Sequence, residues 1–166
     1  MNKFDVRKLA LAGILMGLVV LGILVLHINI GSGYIHVADS FMLLSASLGP
    51  VYGLLVSGLG GGIADILAGY AAYAPWTFLI HGVQAVLMAF SLKKMSSMNG
   101  KMFFILGFVV SVVTVVPGYY LTDVIMYGNW TAPLFPALMN ILQVGVGSAV
   151  GAILYGPYQQ ISRKFQ

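Results

Sequence analysis

The run GLLVSGLGGGIADILAGY, from Gly53 to Tyr70, carries one charged side chain in 18 residues. As a helix rising 1.5 Å per residue it is about 27 Å long, close to the ~30 Å hydrocarbon core of a bilayer. Gly53, Ser57, Gly61, Asp65 and Gly69 recur every fourth residue and so share one face. In lipid, a face of small residues is where helices approach one another closely. The carboxylate on that face therefore points into a bundle. A helix of this kind needs apolar neighbours, and the rest of the chain supplies them.

Of the 166 residues, 60% are hydrophobic and 7% are charged. A soluble domain carries about 25% charge. There is no cysteine and no glutamate. These counts exclude an ordinary soluble domain, a disordered chain, a disulfide scaffold and a thiol catalyst. They leave an integral membrane protein, long enough for at most about seven spans.

The net charge of +4 is unevenly placed. Lys3, Arg7 and Lys8 precede the first apolar run, Lys93, Lys94 and Lys101 flank a central loop, and Arg163 and Lys164 close the chain. The positive-inside rule puts all three clusters in the cytoplasm. This distribution records topology and does not point to nucleic acid. The first run is too long for a signal-peptide core and no cleavage site follows it, so it reads as a retained helix.

The apolar runs predict an all-α bundle of six transmembrane helices in one domain spanning 1–166, with both termini cytoplasmic. The helices fall at about Lys8–His27, Val37–Leu48, Val51–Tyr70, Trp76–Leu92, Met102–Tyr127 and Pro133–Gln160. A turn at Gly31, Ser32 and Gly33 follows the first. Gly49-Pro50 separates the second from the third, a helix terminator followed by a favoured first position. The second helix reaches only about 20 Å. It is expected to tilt or to cover part of the depth inside the bundle.

Ionisable groups within spans are costly and mark function by default. Asp65, His81, Asp123 and Asn140 all lie roughly 6–10 Å from the outer ends of their helices, with Gln84 and Gln143 about a turn deeper. Asp39 opens the second helix and reads equally well as a helix cap. The inner half has almost no such groups. Four helices therefore present polar side chains at one depth. Tyr73, Tyr119, Trp130 and other outer aromatics surround them, with Tyr119 and Asp123 four residues apart. The pattern predicts an outward-facing pocket with apolar walls, aromatic plates and a few hydrogen-bonding groups, suited to a planar heteroaromatic solute. His36 and the Gly31–Val37 segment would form a lid.

Several features have plainer readings. Trp76, Trp130 and the tyrosines also suit an interfacial belt. Gly60-Gly61-Gly62 lacks the lysine of a phosphate loop and suits helix packing. His36 and His81 have no ligand-like spacing, so no metal and no cofactor are expected. No serine is set in a nucleophile elbow, which argues against an enzyme. On the first helix, Ala10, Gly13 and Gly17 form a small-residue stripe suited to docking a partner helix. A stand-alone proton-coupled carrier, with Asp65, His81 and Asp123 as the relay, is the alternative reading.

The stretches Gly33-Tyr34-Ile35-His36-Val37-Ala38-Asp39, Leu48-Gly49-Pro50-Val51-Tyr52-Gly53, Gly60 to Tyr70 and Tyr73-Ala74-Pro75-Trp76-Thr77 resemble the substrate-binding S components of energy-coupling factor (ECF) vitamin transporters. The likeness covers nearly the whole chain and is nearest to members assigned to hydroxymethylpyrimidine or pyridoxine. It implies a subunit of a prokaryotic plasma membrane that binds a vitamin at its outer face. The loop after the first helix and the last three helices would make the site. The subunit would dock through its first helix on a transmembrane scaffold driven by two ATPases, then topple to release its cargo inside. The first-helix AxxxA motif of such proteins is not kept: Ala12 is followed four residues on by Met16, and Gly13 to Gly17 is the nearest equivalent.

Overall fold

The computed structural model describes residues 5–29, 34–95 and 97–162. Six helices and one small hairpin make up the described residues. Helix α1 spans Val6–Leu24 and is capped by Asp5, whose carboxylate accepts from the Arg7 backbone N–H at 3.0 Å. Strands β1 (His27–Asn29) and β2 (Tyr34–His36) pair antiparallel, His27 opposite His36. Helix α2 spans Asp39–Leu48, its last three residues wound as a 3-10 turn. Helix α3 spans Pro50–Leu67 with a π-helical turn at Leu55–Leu59. Helices α4 (Ala74–Lys93), α5 (Gly100–Tyr127) and α6 (Leu134–Ser162) complete the bundle.

Five of these helices, α1 and α3 to α6, are long and apolar enough to cross a membrane. They make this an α-helical membrane protein. Helix α2 is shorter, about 15 Å at 1.5 Å per residue. It lies inside the bundle: Asp39, Ser40, Met42, Leu43, Leu44 and Ser45 are all buried. This explains why so short a segment can be so apolar. Its neighbours are protein, and lipid thickness does not set its length.

The expected first helix ends too late. It stops at Leu24, and His27 begins a strand instead. The His27 ring bonds the Ile23 carbonyl at 2.8 Å, occupying an acceptor the helix would otherwise leave unpaired. The hairpin that follows is an addition to the expected all-α pattern. The turn at Gly31, Ser32 and Gly33 lies outside the described residues, as do Lys3, Arg163 and Lys164. The third helix also stops early, at Leu67, because Gly69 takes φ +88°, a left-handed conformation open to glycine. Gly49, at φ +114°, makes the break between α2 and α3, and Pro50 takes the first position of α3.

Small residues let the helices close on the core. A Cβ at Gly60 would stand 3.2 Å from Met16 and Val19 of α1, and one at Gly53 3.2 Å from the Ala46 backbone of α2. The α2–α6 crossing is tighter still, since a Cβ at Gly147 would fall 2.5 Å from the Cβ of Asp39. This close approach brings α2's first residue against the polar face of α6.

Candidate functional site

The polar centre of the bundle is Asp39, a side chain 0% exposed at the start of α2. The reading of Asp39 as a helix cap does not survive: Ala38 holds the cap position and caps with no side chain, and the Asp39 carboxylate turns into the bundle. Gln84 Nε2 of α4 donates to its Oδ1 at 3.1 Å, and Gln143 Nε2 of α6 donates to its Oδ2 at 2.8 Å. Each carboxylate oxygen thus receives one amide donor. Two histidines approach the same group, His81 Nδ1 at 3.7 Å from Oδ1 and His36 Nδ1 at 3.8 Å from Oδ2.

The amides bond onward. Gln84 Nε2 also donates to Ser111 Oγ of α5 at 2.7 Å, and Gln84 Oε1 lies 2.6 Å from His81 Nδ1. Gln143 Oε1 accepts the His36 backbone N–H at 3.2 Å and so ties the hairpin to α6. Residues from β2, α2, α4, α5 and α6 meet in one network. Buried polar groups are tolerated when bonded, and a network spanning five elements holds their relative positions. Burial of the His36 ring pushes its pKa down to about 4, against the opposing pull of the Asp39 carboxylate.

A second polar group lies nearer the end of the bundle that carries Tyr73. The Tyr73 hydroxyl donates to Asp123 Oδ1 at 2.6 Å and pairs with the Tyr127 hydroxyl at 2.9 Å. Burial, together with the bond to Asp123, raises the Tyr73 pKa well above the ordinary phenol value. Between the two groups, Thr77 Oγ1 and the Tyr119 hydroxyl bond at 2.7 Å, and the Tyr119 ring stands 5.8 Å from that of His81, centre to centre. A ladder of polar side chains therefore runs from Tyr73 down to Ser111, with Tyr119 beside its midpoint.

The residues singled out in the sequence divide accordingly. His36, His81, Gln84 and Gln143 meet at Asp39, and Tyr73 meets Asp123, with Tyr119 between. Asp65 is also buried, 4% exposed on α3, and its backbone carbonyl accepts the Tyr70 N–H at 2.8 Å. Asn140 is only half-buried on α6. Trp130 is 66% exposed, and its carbonyl accepts from the Tyr120 hydroxyl at 2.8 Å. Among the described residues no three His, Cys, Asp or Glu side chains are arranged to hold a metal ion. Ser111 and Thr77 are additions to the expected set, and of the two readings of Asp39 the polar contact is the one the structure shows. An aspartate in a segment too short to span was the available signal, because such a segment must be buried in protein.

The opposite end of the bundle is more polar than its sequence suggests. A cavity of about 560 Å³ opens there, lined by Ser47, Gly49, Lys93, Tyr155 and Gln159 among others. Ser47 donates to the Tyr158 hydroxyl at 3.0 Å, and Ser45 and Ser57 pair at 3.3 Å nearby. Hydroxyls in apolar runs carry little signal in a sequence, which is why this half looks empty there. On α1, Ala10, Gly13 and Gly17 lie on the exposed face, and a Cβ at Gly13 or Gly17 would meet nothing within 4 Å.

Two curated relatives share part of the chain. It is 28% identical over 100 residues to a protein of Lactococcus lactis subsp. cremoris (strain MG1363) named thiamine precursor transporter HmpT, covering 60% of this chain and 54% of that one. It is 31% identical over 97 residues to an uncharacterized protein in the gap 3'region of Pyrococcus woesei, covering 58% of this chain and 63% of that one. The chain thus spans between about half and under two thirds of the length of these relatives. A profile of ECF-type riboflavin transporter S components matches much more, residues 3–160. A match over that length, to a bundle whose polar side chains converge from five elements, shows that the chain belongs to the ECF-type riboflavin transporter S component family.

Proposed function

We propose that this chain, which its family makes a transport subunit and not an enzyme, captures a small planar heteroaromatic vitamin or precursor at the outer face of a prokaryotic cell membrane. Hydroxymethylpyrimidine is favoured over pyridoxine, because the lactococcal relative is named for a thiamine precursor. In this reading all six helices, α2 included, form the membrane domain, both termini are cytoplasmic, and the Tyr73 end faces outward. The exposed Gly13–Gly17 face of α1 docks a transmembrane scaffold, and two ATPases power release.

The observation that carries the reading is the ladder from Tyr73 to Ser111. It sets hydrogen-bonding side chains and an aromatic ring along one path into the bundle, the composition of a site for a polar flat ring. His36, Asp65, His81, Gln84, Tyr119, Asp123 and Gln143 are its proposed contacts or supports. Asn140 and Trp130 sit at its margin.

Titration of the purified full chain with hydroxymethylpyrimidine, pyridoxine and riboflavin tests this. The first should bind most tightly, and His81→Ala together with Asp123→Asn should weaken it. Equal affinity in both variants would move the site elsewhere, and a preference for riboflavin would change the substrate. Uptake by the chain alone in liposomes, driven only by a pH gradient, would favour the proton-coupled carrier instead.

A further inference from the structure

The glutamine amides around Asp39 have one workable orientation. Turning Gln84 over would set its carbonyl oxygen against the Asp39 carboxylate, two acceptors face to face in a site without water contact. Its Nε2 must therefore face Asp39 Oδ1 and Ser111 Oγ, at 3.1 and 2.7 Å. That leaves Oε1 toward His81 Nδ1 at 2.6 Å, a distance that requires Nδ1 to carry the proton. The second amide repeats the pattern: Gln143 Nε2 gives to Asp39 Oδ2, and its oxygen receives the His36 backbone N–H.

His81 is 0% exposed, and its other nitrogen, Nε2, has no hydrogen-bond partner among the described residues. The adjoining ring carbon, Cδ2, faces α3, 3.9 Å from where a Cβ of Gly61 would stand, and the Tyr119 ring flanks the imidazole on α5. With the proton held at Nδ1, the Nε2 of a neutral imidazole is an acceptor. A buried acceptor left unbonded is costly, so the group selects for a donor.

We infer that Asp39 is the positioning residue of this site: acting through Gln84, it holds His81 as an Nδ1–H imidazole whose Nε2 accepts a hydrogen bond, so the captured solute must bring an N–H or O–H donor to that edge. The inference rests on reading the Tyr73-to-Ser111 ladder as the capture site. It also narrows that reading. An aminopyrimidine or a ring alcohol satisfies the requirement. A flat heteroaromatic with acceptors alone does not.

Long-range 1H–15N correlation spectra of the histidine-labelled full chain in detergent micelles, without ligand, test the tautomer directly. His81, assigned by its loss in His81→Gln, should show a protonated Nδ1 and a bare Nε2 at neutral pH. A proton on Nε2, in a neutral or a cationic ring, would overturn the inference whatever the chain transports. Calorimetry with 4-amino-5-hydroxymethyl-2-methylpyrimidine and its analogues lacking the amino or the hydroxyl hydrogen then tests the ligand. Losing the correct donor should weaken binding by roughly ten-fold. The same comparison in Asp39→Asn, where one donor faces the amides instead of two acceptors, should flatten that preference. If every analogue binds the wild-type chain equally, the donor requirement is wrong even with the tautomer as stated. If no pyrimidine binds at all, the proposed substrate fails, and the spectra alone still decide the role of Asp39.

Discussion

At the scale of single residues, the network makes unequal demands on its members. Ser111 accepts one bond from an amide that also bonds Asp39. Ser111→Ala would leave one buried Gln84 N–H unbonded and should cost about 1–3 kcal/mol of stability, read as a fall in melting temperature in detergent. His36 behaves differently. Its pKa is held near 4 in the fold against 6.5 when free, so the unfolded chain binds the extra proton first as pH falls. Stability from this group is whole above about pH 6.5 and is lost progressively toward pH 4, by at most roughly 3 kcal/mol. Melting curves of the wild type and His36→Gln should converge or cross over that window, with the wild type falling faster. An equal pH slope in both proteins would remove His36 as the cause. The same scale shows what a sequence hides. Asp39 meets Gln84 across 45 positions and Gln143 across 104, and no local spacing announces either contact. Asp65, His81 and Asp123 were legible because an ionisable group in an apolar run is conspicuous by itself.

Among the elements, the five long helices were legible because lipid imposes one rule on each, a continuous apolar run of sufficient length. Their ends were less so. Gly49 signalled its break because Pro50 follows it, whereas Gly69 ends α3 by its backbone conformation alone. The hairpin was hidden by its size, three residues a strand. The burial of α2 is the element-scale fact on which the site depends. It requires α6 to pass close enough for Gln143 to reach Asp39, and Gly147, one turn further along α6, sets that distance. Gly147→Ala would push a methyl onto the Cβ of Asp39, which cannot swing aside as the tip of a long side chain can. We expect a loss of about 2 kcal/mol or more and a parallel loss of ligand binding. Gly145→Ala, whose added Cβ would meet only the Phe108 ring at 3.7 Å, should be nearly neutral. If the two variants melt alike, the α2–α6 crossing is not what positions the network.

For the whole molecule, the exposed surface of α1 separates folding from assembly. The helix has two faces with different roles. Leu11, Ala12, Leu15, Val19 and Ile23 are buried against the rest of the chain, and Gly22 is closed by Ala38 at 3.3 Å. Gly13 and Gly17 face outward and meet nothing within 4 Å. Glycine inside a helix is unfavourable by about 1 kcal/mol relative to a good helix former. Leucine at Gly13 or Gly17 should therefore leave the isolated chain as stable as before or slightly more so, and should not alter vitamin binding at the far network. If this face receives a scaffold helix, the same leucine fills the space that helix would occupy, and close packing through small residues is lost. Gly17→Leu should then abolish co-purification with the scaffold and ATP-dependent uptake while calorimetry on the isolated subunit stays unchanged. The opposite sign is expected five residues on, at Gly22. Gly22→Leu should damage the fold itself, because its side chain would strike α2 beside Asp39. A Gly17→Leu chain that still assembles and transports would assign this stripe to lipid contact, and the scaffold to another face of the bundle.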